Sequence, residues 1–146
     1  MIKLFIIILL TLMISFYSME KIDSWYQNLN KSSLTPPGYV FGIAWTILYI
    51  LMSISVWIIW NKEKKISFPI QLYIIQLILN FAWSPLFFKY HCINESLFLL
   101  SFIWMSVFIM IDIFYSIDKI AGLLLVPYLI WLSFAYYLNY YIVKNN

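Results

Sequence analysis

The chain has no arginine, one histidine (His91), one cysteine (Cys92) and only three glycines. Each scarcity closes off a class of chemistry. A lone cysteine cannot form a disulfide within one chain, and one His beside one Cys cannot assemble a four-ligand zinc site. Either could singly ligate the iron of a haem. All nine basic residues are lysine, so the planar guanidinium that grips phosphate bidentately is missing and a nucleic-acid surface has no support. There is no glycine-rich phosphate loop and no acid pair of catalytic spacing. Charge itself is sparse: 10% of residues are charged against 64% hydrophobic, and a mean hydropathy of +0.89 lies outside the range of soluble domains.

What fills the chain instead is apolar sequence in five stretches, 2–19, 39–60, 68–88, 96–116 and 120–143. Each is close to the roughly 20 residues that a helix needs to cross a bilayer. Unbroken apolar runs such as 6–10 and 123–126 have the helical pattern and not the alternation of a membrane barrel. The expectation is an all-α membrane protein, a five-transmembrane-helix bundle forming one domain over 1–146. The first stretch also imitates a secretory signal peptide. A retained helix is the preferred reading, because the apolar run continues to Tyr17 and no small-residue cleavage site follows. Five crossings put Lys3, Lys62, Lys64, Lys65 and Lys119 on one side and Lys21, Lys31, Lys89 and Lys144 on the other, a weak vote for an inside amino terminus.

One connector, 20–38, is longer than the rest. Trp25, Tyr26 and Leu29 are spaced to form an aromatic face on one helical turn, and Pro36-Pro37 makes a stiff extended re-entry before Gly38. Two readings stand: an interfacial aromatic anchor, which composition favours, or a lid over a cavity mouth, which the rigid turn would serve.

Polar side chains inside spans are costly in hydrocarbon and call for a reason. In the third span Gln76, Asn80, Trp83 and Phe87 lie on one helical face; the second offers Phe41, Trp45, Tyr49 and Met52, and the fifth Pro127, Trp131, Phe134 and Leu138. The amides could merely bond neighbouring helices. If the three faces converge, they enclose an aromatic-walled pocket suited to a flat, apolar ligand held by stacking and one or two hydrogen bonds. Asp112 in the fourth span is either a proton relay or tyrosine partner, or a neutral hydrogen-bonded acid at a helix or dimer contact.

The strings WYQNLNKSSLTPPGYVFGIAWTILY, QLILNFAWSPLFF and LLLVPYLIWLSFAYYLN resemble three signature segments of the translocator protein family, also called tryptophan-rich sensory proteins or peripheral-type benzodiazepine receptors. They occur in order over about residues 25 to 140. The resemblance implies a five-helix bundle in a bacterial cell membrane, usually a homodimer, with a pocket opening toward the first loop. It implies binding of protoporphyrin IX or haem as ligand, with no required cofactor, and of sterol, benzodiazepine or isoquinoline ligands in some members. Light- and oxygen-dependent breakdown of protoporphyrin is also known in the family. Trp45 and Trp131 match positions implicated in that contact and photochemistry, and Asn80 would be a polar contact with Trp83 behind it. The expected ligand set is Phe41, Trp45, Tyr49, Asn80, Trp83, Phe87, Trp131 and Leu138, with Trp25, Tyr26, Pro36 and Pro37 as lid. A non-catalytic tetrapyrrole or sterol transporter or sensor, and a structural membrane subunit, are the other two readings. The tail from Leu138 to Lys144 fits a weak sterol pattern whose residues also serve as plain interfacial anchors.

Overall fold

The computed structural model describes residues 2–18 and 22–146, the side chains of 2, 17 and 18 excepted. Met19, Glu20 and Lys21, at the end of the predicted first span and the start of the long loop, lie outside the described residues. Among the described residues there is no strand. The helices are α1 (Ile2–Ser18), α2 (Ser24–Gln27), α3 (Gly38–Glu63), α4 (Phe68–Ser84, continued by a π-helical turn over Pro85–Lys89), α5 (Ile93–Ile117), α6 (Lys119–Leu124) and α7 (Val126–Asn145).

Four stretches are long and apolar enough to cross a membrane: Gly38–Glu63, Phe68–Lys89, Ile93–Ile117 and Lys119–Asn145. These correspond to the last four predicted spans, each extended by one to three residues at its ends. The first helix is equally apolar but has 17 residues. At 1.5 Å per residue its described part is about 25 Å long, at the lower limit for crossing a hydrocarbon core of about 30 Å. The membrane-spanning all-α class therefore stands on four helices, with α1 packed along α3 and α4.

Two prolines shape the long helices. Pro85 has no N–H to donate to the carbonyl one turn back, and the ladder widens there, Tyr90 N–H bonding the Pro85 carbonyl at 3.1 Å. Pro127 also lacks an N–H, and the last span, one predicted helix, is two observed pieces that meet at Leu125, where the ladder tightens, Leu125 N–H bonding the Gly122 carbonyl at 3.1 Å. At the turn between α5 and α6, Asp118 accepts from the N–H groups of Ile120 and Ala121 and pairs with Lys62 at 2.7 Å. Gly122 lies so close to Tyr115 that a Cβ there would stand 2.6 to 2.7 Å from it.

The solid core occupies this end of the bundle, where Met52, Ile59, Val107, Met110, Phe114 and Leu125 are all but completely buried. Asp112 does not belong to it. It sits on the outward face of α5 with no bonding partner among the described residues, so the expected hydrogen-bonded helix contact is not made within the chain.

Candidate functional site

At the other end the helices part around a cavity of about 890 Å³, toward the upper end of the range for small-molecule sites, about 300–1,000 Å³. The structure brings Phe41, Trp45 and Tyr49 of α3, Asn80, Trp83 and Phe87 of α4 and its π turn, and Trp131 and Leu138 of α7 onto its wall. Of the other residues on the predicted faces, Met52 belongs to the solid core and Gln76 lies behind the wall. Pro127 and Phe134 do not line the cavity. The inward stripe of α7 runs instead through Trp131, Ala135, Leu138 and Ile142.

The rings form two groups. On one side Trp45 stacks on Tyr49 (centroids 5.4 Å, 26°) and meets Trp131 edge-on (6.5 Å, 86°), while Phe41 packs on Trp131 at 5.8 Å. On the other Trp83 stacks on Phe87 (5.0 Å, 15°), with Phe88 edge-on to both. Phe87 and Phe88, consecutive on the π turn, both line the space. Such walls offer flat π faces with few polar groups, the arrangement that favours stacking of a planar apolar molecule.

Below the rings runs a polar chain that spacing did not reveal. The Tyr49 hydroxyl donates to Asn80 Oδ1 (2.9 Å), Asn80 Nδ2 to the Tyr128 hydroxyl (2.6 Å), and that hydroxyl to Gln76 Oε1 (3.0 Å). Asn80 is thus on the wall, but its amide is held by two tyrosines. Tyr128, completely buried, was not among the expected site residues. Its neighbours Pro127 and Trp131 gave the signal: a phenol one helical turn before a pocket indole reaches the same interior.

The first loop roofs the cavity with Tyr26, Leu29, Ser32, Thr35, Pro36 and Pro37. Trp25 points elsewhere, stacking on His91 at 3.9 Å and 16°. Asp23 caps α2 by accepting from Tyr26 N–H (3.1 Å) and lies 3.3 Å from His91 Nε2; the Tyr26 bond foremost, and His91, hold its carboxyl below the usual range. His91 is therefore spent on the loop, and among the described residues no cluster of metal-ligating side chains occurs. Further along, Asn30 and Asn146 exchange bonds, Asn30 N–H to Asn146 Oδ1 at 2.9 Å and Asn146 Nδ2 to the Asn30 carbonyl at 3.1 Å. Ser32 Oγ reaches the Tyr137 hydroxyl at 3.3 Å. The loop is tied both to the segment after α4 and to the end of α7. In the tail, Leu138 is turned inward at 7% exposure, out of reach of a sterol lying on the outer surface.

Fold and site together define an integral, multi-pass α-helical membrane protein with an aromatic cavity under one loop. Residues 3–144 match the model of the TspO/MBR family, and the chain belongs to that family. It is 37% identical to the tryptophan-rich sensory protein of Cereibacter sphaeroides over 126 residues, 86% of this chain and 79% of that protein. It is also 37% identical to the tryptophan-rich protein TspO of Archaeoglobus fulgidus over 137 residues (90% and 86%). Against the translocator protein of Homo sapiens it is 34% identical over 126 residues (84% and 75%).

Proposed function

We propose that this protein binds a porphyrin, protoporphyrin IX or haem, in the aromatic cavity, and that Trp45 and Trp131 take part in its light- and oxygen-dependent degradation. The observation that carries the reading is the pair of perpendicular indoles, 6.5 Å apart, on the wall of a cavity large enough for a macrocycle. A porphyrin excited by light passes energy to dioxygen. An electron-rich indole held against the ring is then the nearest target for the excited pigment or for the singlet oxygen formed. In this reading α1 is the fifth crossing, the first loop is a lid hinged at Pro36-Pro37, and the protein works as a homodimer in a bacterial cell membrane. Benzodiazepine- or isoquinoline-type ligands would share the same stacking surfaces.

The test is absorbance of the purified protein with protoporphyrin IX in the dark and under light. Binding should shift the spectrum, and illumination in air should bleach it to a new product. Trp45→Phe with Trp131→Phe should keep affinity within a few-fold, because phenyl rings still stack, while the bleaching is lost. Unchanged bleaching in the double variant would refute the role of the indoles. A shifted spectrum that is stable under light would leave a carrier or sensor, the non-catalytic alternative.

A further inference from the structure

Asn139 stands on the cavity wall near the roofed end of α7, with 2% of its surface exposed. Facing it on α5 is Ser96, completely buried, whose hydroxyl donates to the Ile93 carbonyl at 2.9 Å. A hydroxyl has one proton to give. Toward Asn139, then, Ser96 Oγ can only accept, and it receives Asn139 Nδ2 at 3.2 Å. This settles which way the amide points, since the flipped amide would set two acceptors against each other. Its Oδ1 is left without a partner and closed off from solvent behind the wall, an arrangement that costs free energy until a neighbouring side chain gives way and a donor reaches it.

The rest of the wall defines what can arrive. Lys31 is the charged residue on the lining. Its ammonium has three protons, and it bonds the carbonyls of Tyr26, Gln27 and Leu29 at 2.7, 3.0 and 3.3 Å, so none is left for a ligand. The indole N–H groups of Trp83 and Trp131 are buried without partners. Among the buried polar atoms of the wall, those without a partner are thus two donors, from α4 and α7, and one acceptor at Asn139.

We infer that Asn139 is a ligand-selecting residue: the cavity favours a flat apolar molecule that brings an N–H or O–H group to Asn139 Oδ1, and disfavours one that sets an anionic oxygen there. A pyrrole-type N–H, a neutral acid or a hydroxyl would meet the requirement. A carboxylate would face an amide oxygen, with the nearby ammonium already committed. This rests on the cavity being a ligand site, as proposed above, and adds the polarity of one point in it.

The test uses carbazole and N-methylcarbazole, rigid planar molecules that differ at one N–H, with binding read from tryptophan fluorescence of the detergent-solubilised protein. The ratio of their affinities in wild type is compared with that in Asn139→Leu, which keeps the branched shape and removes the acceptor. The variant should lower the preference for the N–H ligand by about three- to tenfold, leaving N-methylcarbazole affinity within about twofold. Ser96→Ala, which leaves the acceptor but frees the amide to turn, should weaken the preference less, and serves if Asn139→Leu does not fold. An unaltered ratio in the folded variants overturns the inference, as does equal weakening of both ligands. Protoporphyrin absorbance on the same samples separates the two readings. Carbazole binding with an Asn139-dependent ratio but no porphyrin shift keeps the inference and sinks the porphyrin proposal; the converse result does the reverse. Binding of neither class removes both.

Discussion

The two ends of the bundle use the same helices to opposite effect. In the first half of α3 the inward residues are Phe41, Gly42, Trp45, Thr46 and Tyr49, and they line a hollow. In its second half they are Met52, Ser53, Ser55, Val56 and Ile59, and they are 0–2% exposed. Ser55 donates to the Ala121 carbonyl at 2.7 Å, and Gly122 touches the Tyr115 backbone. Small residues let backbones approach where nothing needs to fit between them. Rings at the other end hold helices apart, and their flat faces cannot interdigitate to fill the gap.

The sharpest way to break this contrast is to make one substitution at both ends. Gly122→Ala places a methyl 2.6 to 2.7 Å from Tyr115, so α5 and α6 must separate; a loss of about 1–3 kcal/mol is expected, typical of overpacking. Gly42→Ala meets nothing within 4 Å and should be neutral or stabilising by about 0.5–1 kcal/mol, because alanine is the better helix residue. Thermal unfolding in detergent, followed by tryptophan fluorescence, checks both. Similar midpoints for the two variants would mean that the ends do not differ in packing tolerance.

A comparable effect is expected at the boundary between the halves. Tyr128→Phe removes a hydroxyl that both accepts from Asn80 and donates to Gln76, leaving two buried groups unpaired at a cost of about 1–3 kcal/mol. Tyr49→Phe strands Asn80 Oδ1 and takes a partner from Ser15, both residues on the cavity wall and not in the solid core, and should cost less. Equal losses would show that the chain is not polarised between a closed and an open side.

This difference between ends also explains what the amino-acid sequence disclosed. The last four spans were readable because hydrocarbon demands long apolar runs whatever they pack against. Trp45, Trp83 and Trp131 were readable as inward candidates because bulky rings recur there at helical spacing. Convergence was not readable in detail, since it depends on rotations that a single face pattern does not carry. On the π turn Phe88 lines the wall beside Phe87, and the inward stripe of α7 passes through Ala135 and leaves Phe134 off the wall. Asn139 escaped notice for a different reason: so near the end of a span, a polar residue needs no special explanation. Its burial comes from Ser96 on α5, more than forty residues away in the chain.

The smallest expected effect lies at the polar edge of the solid end. Lys62, first, and the Ala121 N–H hold the Asp118 carboxyl below its ordinary pKa of 3.8. A carboxyl whose folded pKa is depressed stabilises the fold above its unfolded pKa, and that contribution disappears as pH falls through the folded one. Asp118→Asn keeps an oxygen for the helix cap but gives up the charge that Lys62 meets. Melting temperatures of wild type and variant should therefore differ most at neutral pH and draw together below about pH 4. High salt should narrow the gap as well, because Lys62 is half exposed and its pairing is screened. A gap that is constant with pH would assign the stabilisation to the neutral cap alone, and the turn between α5 and α6 would then owe nothing to the lysine.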